Sequence, residues 1–140
     1  MDAIAKNRIE EKLARLDETL STMEKIVPKS YADYEKAGKT LKWDVERGLQ
    51  LISEMEMDIA VVLFKTFKKG VAGEETSILT ALSKELGDDM VDHLKSRRKL
   101  RNALVHDYAI NNDKDAFSQA SDFSDIKKYK TKVKEVITKF

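Results

Sequence analysis

The chain has 140 residues, the size of one ordinary domain, with 26 Lys and Arg against 25 Asp and Glu and a formal net charge of +1. That balance excludes a uniformly basic nucleic-acid-coating protein and a strongly acidic, tail-like one. One proline, five glycines and no cysteine leave little turn material for an all-β fold, and exclude disulfides, thiolate metal sites and a cysteine nucleophile. No run approaches the ~20 apolar residues of a membrane span, and Met1–Lys6 lacks a signal layout. A soluble, cytoplasmic helical domain is expected.

In chain order, Ile9, Leu13, Leu16, Leu20, Met23 and Val27 recur in steps of three and four and predict a first helix ended by Pro28. A second segment, from about Tyr31 to Lys68, carries Leu41, Val45, Leu49, Ile52, Met55, Ile59, Val62, Leu63 and Phe67, with a break allowed near Gly38. Its centre, Ile59–Phe64, is apolar all round and is expected to be the most buried part. Gly70–Gly73 reads as a loop. Ile78, Leu79, Leu82 and Leu86 predict a short third helix, capped by Thr76 or Ser77 and ended by Gly87. A fourth starts near Asp88 or Asp89 and runs through Val91, Leu94, Leu100 and Leu104 to about Tyr108. Asn111–Asp115 reads as a polar turn, and a last helix near Ser124–Lys139 carries Ile126, Tyr129, Val133, Val136 or Ile137, and Phe140. The expected architecture is all-α: one domain over residues 1–140, an antiparallel bundle of four to five helices.

Two histidines, His93 and His106, are too few for a multi-histidine metal site, and H-E-x-x-H, G-x-x-x-x-G-K-[ST] and G-x-G-x-x-G runs are missing. No metal or cofactor is expected. What remains is the segment from Lys95 to Tyr108, where Lys95, Arg97, Arg98, Lys99 and Arg101 place five cations in seven residues. A charge run by itself is more often a solvated helix face than a binding site; this one is followed directly by His106 and Tyr108. At ~100° per residue, Arg101 and Tyr108 share a face, whereas Arg101 and His106 diverge by about 140°. Either the helix ends or bends near Val105, or a two-fold axis brings two Arg101 and two His106 into one cleft.

Arg101-Asn102-Ala103-Leu104-Val105-His106-Asp107-Tyr108 is an R-x4-H-x-Y arrangement. It resembles the signature of the HEPN superfamily, and more closely that of HepT-like toxins, whose motif commonly reads R-N-x-L-V-H-x-Y. The order of elements is similar too: a long helix with Glu46-Arg47-x-Leu49-Gln50 and Asp58-Ile59, then a leucine-spaced short helix before the motif helix. The resemblance implies the toxin of a type VII-like toxin–antitoxin pair: a metal-independent, homodimeric endoribonuclease with Arg101 and His106 catalytic. It further implies that an MntA-type minimal nucleotidyltransferase, the antitoxin, places AMP on the Tyr108 hydroxyl and so adds negative charge beside Arg101.

The chemistry of the residue types agrees. An imidazole, titrating near ~6.5 in model compounds, accepts the 2′-OH proton of RNA or protonates the leaving 5′-oxygen. A guanidinium offers planar donors to the non-bridging oxygens as the phosphorane forms. The competing reading is a non-catalytic HEPN module, an accessory subunit for a nucleotidyltransferase. Asn102 either orients Arg101 or a phosphate, or is an ordinary polar helix residue. Asp58 is expected as a buried partner for a motif-helix arginine, ahead of an exposed acid. His93 reads as a surface residue, Lys127, Lys128, Lys130, Lys132 and Lys134 as a solvated face, and Trp43 as core or dimer packing rather than a base-stacking platform.

Overall fold

A computed structural model of the protein describes residues 1–106 and 113–139. Among them lie eight helices and no strand: α1 (Ala3–Ile26), α2 (Tyr31–Lys36), α3 (Lys39–Thr66), α4 (Glu75–Ala81), α5 (Ser83–Leu86), α6 (Asp88–His106), α7 (Asp113–Ala120) and α8 (Ser124–Thr138). The all-α class is as expected, and the four long elements stand where periodicity placed them. The count is higher because short helices lie between them.

Local chemistry explains the boundaries. Asp2 caps α1 by accepting from the Ala5 N–H at 2.7 Å, and Ser30 caps α2 by accepting from the Asp33 N–H at 3.1 Å. The break at Gly38 is real: α2 stops at Lys36, and Gly38, in extended conformation, is the N-cap of α3. The expected third helix is two pieces, because Leu82 ends α4 before α5 begins, and α4 starts at Glu75, ahead of the expected caps. Gly87 closes α5 at φ +91°, where its N–H donates to the Ser83 carbonyl at 2.8 Å; a side chain at that φ would be strained. Helix α7 was not foreseen. It starts inside the expected polar turn, with Asp113 and Asp115 in its first turn, and buries only Ala116 and Ala120 fully. Such a stripe is too thin to read as a periodic apolar face.

Two apolar clusters fill the interior. One gathers Ile9, Leu13, Ile59, Leu63, Leu79, Leu82, Leu94 and Val133, and the other Leu16, Leu20, Met23, Val45, Leu49, Ile52, Leu100 and Ile126. Helices α1, α3, α6 and α8 run through both, so each long helix contributes one stripe to two halves of a single bundle. At Gly48 α1 approaches α3 closely: an added Cβ would fall 2.1 Å from the Met23 sulfur. The apolar centre of α3 departs from expectation, for Val61 and Val62 are only half-buried and line a cleft with Lys12 and Asp58. No helix among the described residues is long and apolar enough to cross a membrane.

Candidate active site

Helix α6 presents Met90, Val91, Leu94, Arg97 and Leu100 to the interior. Arg97 thus occupies a core position, 5% exposed, at the seam between the two apolar clusters. Its Nε and Nη2 donate to Glu56 Oε1 at 2.7 Å and Oε2 at 2.5 Å, and its Nη1 donates to Asp125 Oδ2. Burial pushes the Glu56 carboxyl up against the pull of Arg97. Burial would draw the Arg97 guanidinium down, but Glu56 and Asp125 outweigh it and the net direction is upward. The Tyr129 hydroxyl donates to the Glu56 carbonyl at 2.9 Å, and burial pushes that phenol well up. This network ties α6 to α3 and α8 and fixes how the motif helix is rotated.

One turn on, Arg101 lies at the rim. Its Nη2 donates to Glu54 Oε1 at 3.3 Å, its Nη1 to Asn102 Oδ1 at 3.2 Å, and its Nε is buried without a partner. These bonds are long beside those of Arg97, so the guanidinium is aimed but lightly held. His106 is exposed on the last described turn of α6. The helix is α-helical through Val105, so Arg101 and His106 of one chain point apart, as an unbent helix requires. Tyr108, with Asp107, lies outside the described residues, between His106 and Asp113. The far end of that connection is fastened: Lys42 Nζ bonds both the Glu35 carbonyl and Asp113 Oδ2 at 2.9 Å. No group of three or more His, Asp or Glu among the described residues is arranged to hold a metal ion.

Several expectations are corrected here. Asp58 is not the buried partner of an arginine: it is 55% exposed and pairs with Lys12 at 2.9 Å. The buried acid is Glu56, two residues earlier and therefore on the opposite side of α3. The cation run is not one solvated face either. Arg97 is interior, Arg98 meets Glu75 at 2.5 Å and Arg101 meets Glu54. Trp43 is 65% exposed, so it is not a core residue of the single chain. His93 is at the surface, 3.4 Å from Asp125, and two of the α8 lysines pair across to α1, Lys127 with Glu24 and Lys130 with Asp17. Reasoning from sequence missed Glu56 and Arg97, although the signal was there. Glu56 lies four after Ile52 and three before Ile59, and Arg97 three after Leu94 and three before Leu100, so both charges fall on apolar stripes.

The fold is that of a helical protein known from toxin–antitoxin crystal structures. A chain of a tyrosine-to-alanine mutant of the MntA–HepT toxin–antitoxin superposes with a TM-score of 0.79 at 23% identity, over 91% of this chain and 98% of that one. A chain of a toxin–antitoxin with AMP-PNP gives a TM-score of 0.77 at 22% identity, over 96% and 99%. At such identities the likeness is one of fold. No curated protein matches the chain. The family model for HepT-like ribonucleases matches residues 9–136, nearly the whole length. The chain belongs to the HepT-like ribonuclease family.

Proposed function

We propose that this protein is a metal-independent endoribonuclease, the cytoplasmic toxin of a toxin–antitoxin pair, built as one domain over residues 1–140 and acting as a homodimer. The observation that carries the reading is the state of the motif helix. Its interior cation, Arg97, is fully committed to carboxylates, whereas Arg101 is lightly held at the rim and His106 is free in solvent. A guanidinium for the phosphorane and an imidazole for proton transfer are what RNA self-cleavage needs.

In this reading the 2′-oxygen bonds to phosphorus as its proton passes to a neutral His106. The bond to the 5′-oxygen breaks, and a protonated imidazole returns a proton to that oxygen. The products are a 2′,3′-cyclic phosphate and a 5′-hydroxyl. The nucleophile belongs to the RNA, so no metal-activated water is required. Arg101 neutralises the non-bridging oxygens, and Asn102 steadies Arg101 through the 3.2 Å bond. Because Arg101 and His106 diverge on a straight α6, a two-fold pair supplies the convergence that one chain lacks, with one histidine as base and the other as acid. Exposed Trp43 on α3 offers apolar surface to such a pairing.

Tyr108 is the regulatory residue: an MntA-type nucleotidyltransferase transfers AMP from ATP to its hydroxyl, the phenol losing its proton as pyrophosphate leaves, and silences the cleft. The likeness to two toxin–antitoxin structures, one with AMP-PNP, supports that partner. His106→Ala tests the catalytic assignment. Its cleavage of RNA is expected to fall by about 10²–10⁴-fold with the melting temperature unchanged. Full cleavage by that variant refutes the assignment.

A further inference from the structure

Glu54 on α3 stands between two guanidinium groups. One oxygen, Oε1, lies 3.3 Å from Arg101 Nη2 and 4.0 Å from Arg47 Nη1. The same Arg47 nitrogen donates to Gln50 Oε1 at 3.3 Å. None of these contacts is short, and Arg47, with a side chain 60% exposed, is bound to nothing firmly. Two arginines sharing one carboxylate oxygen at such distances make a weak ion pair. They make a better receptor for an anion with more oxygens.

The placement of Arg47 gives this a purpose. Helices α3 and α6 run antiparallel, since Arg97 meets Glu56 and Arg101, further along α6, meets Glu54, earlier on α3. From Arg101 to His106 is five residues, about 7.5 Å along the axis. From Glu54 back to Arg47 is seven residues, about 10 Å in the same direction, and two turns return Arg47 to the Glu54 side of α3. Arg47 is therefore carried alongside the end of the motif helix that bears His106.

We propose that Arg47 and Arg101 form a phosphate subsite for the RNA backbone, and that the Glu54 carboxylate fills it until RNA displaces it. The inference rests on the ribonuclease reading above. A phosphodiester brings two non-bridging oxygens, one for each guanidinium, where Glu54 brings Oε1 to both. Arg47 is a binding and positioning residue; it moves no proton. Glu54 acts as an internal competitor that screens the cleft against casual anions.

The test uses a fluorescein-labelled single-stranded RNA and the full chain carrying His106→Ala, so that the probe survives, with anisotropy read over a series of salt concentrations. Arg47→Ala in that background is expected to weaken binding about tenfold and to flatten the log–log salt slope by about 0.7, one single-strand phosphate contact. Glu54→Gln keeps the size and removes the charge, and is expected to tighten binding several-fold. In the cleaving chain, Arg47→Ala should raise KM more than it lowers kcat. Because Arg47 is exposed, its variant is expected to melt with the parent. Unchanged affinity and slope in Arg47→Ala overturn the subsite, as does weaker binding by Glu54→Gln, which would make Glu54 only a prop for Arg101. If those variants are silent while His106→Ala abolishes cleavage, the subsite fails alone. A parent that neither binds nor cuts RNA removes the ribonuclease reading and the subsite with it.

Discussion

Replacing Arg97 by Ala removes the one cation that, among the described residues, the buried Glu56 carboxylate touches. The guanidinium makes a two-pronged contact with Glu56 at 2.7 and 2.5 Å and a third bond to Asp125, all at a residue 5% exposed. Breaking a buried pair from one side costs about 3–5 kcal/mol, chiefly because the orphaned charge stays out of water. Glu56 has one escape, which is to take a proton, and burial already pushes its carboxyl in that direction. That escape limits the loss, which shrinks as the pH is lowered, because a neutral carboxyl needs no cation. With an unfolding entropy of ~2.1 cal/mol/K per residue over this chain, 3–5 kcal/mol corresponds to roughly 10–17 °C in Tm. Urea unfolding followed by far-UV circular dichroism, at neutral and mildly acid pH, measures the effect. The double variant Arg97→Met/Glu56→Leu removes both charges and is expected to recover much of the loss. A single variant that loses less than about 1 kcal/mol, or a double variant no better than the single, would refute the view that this pair holds α6 in place.

Two further predictions concern the two ends of the connection from α6 to α7. Co-expression with a neighbouring nucleotidyltransferase should add AMP increments to the intact mass, and Tyr108→Phe should abolish them; an unchanged mass with an active partner would remove the Tyr108 assignment. Near α7, burial and the adjacent Asp113 push the Glu46 carboxyl up, with Lys42 opposing. A raised carboxyl contributes stability that is full below the ordinary carboxylate range and is lost as pH rises through the raised value. Glu46→Gln, which resembles the protonated form, should therefore raise Tm at neutral pH and leave it unchanged in mild acid; a lower Tm at neutral pH would show that Glu46 is stabilised by Lys42 instead.

Much of the bundle was legible because its long helices bury one face each. Steps of three and four in Ile9–Met23, Val45–Leu63, Val91–Leu100 and Ile126–Ile137 carry that information locally, and Pro28, Gly38 and Gly87 punctuate it through backbone geometry that needs no neighbours. Helix α7 escaped notice because two alanines are its only fully buried residues, and small side chains leave a faint periodic signal. The division of the third helix at Leu82 likewise follows from packing, since Leu82 is fully buried in the first cluster.

The motif segment shows the same division more sharply. By itself the sequence determined only that Arg101 and His106 diverge by about 140° if one helix carries both; that α6 continues as far as His106 came from the structure. Which cations of that helix are available was a tertiary matter. Arg97 falls on the apolar stripe of Leu94 and Leu100, but spacing does not name its partner: it is interior because the seam between two apolar clusters holds Glu56, while Arg101 reaches the rim beside Glu54 and Arg47. Charges separated by 41, 47 and 54 positions in the chain, as Glu56–Arg97, Glu54–Arg101 and Arg47–Arg101 are, leave no periodic trace of their meeting. Only the antiparallel packing of α3 on α6 decides which guanidinium is buried in the core and which stays lightly held at the rim.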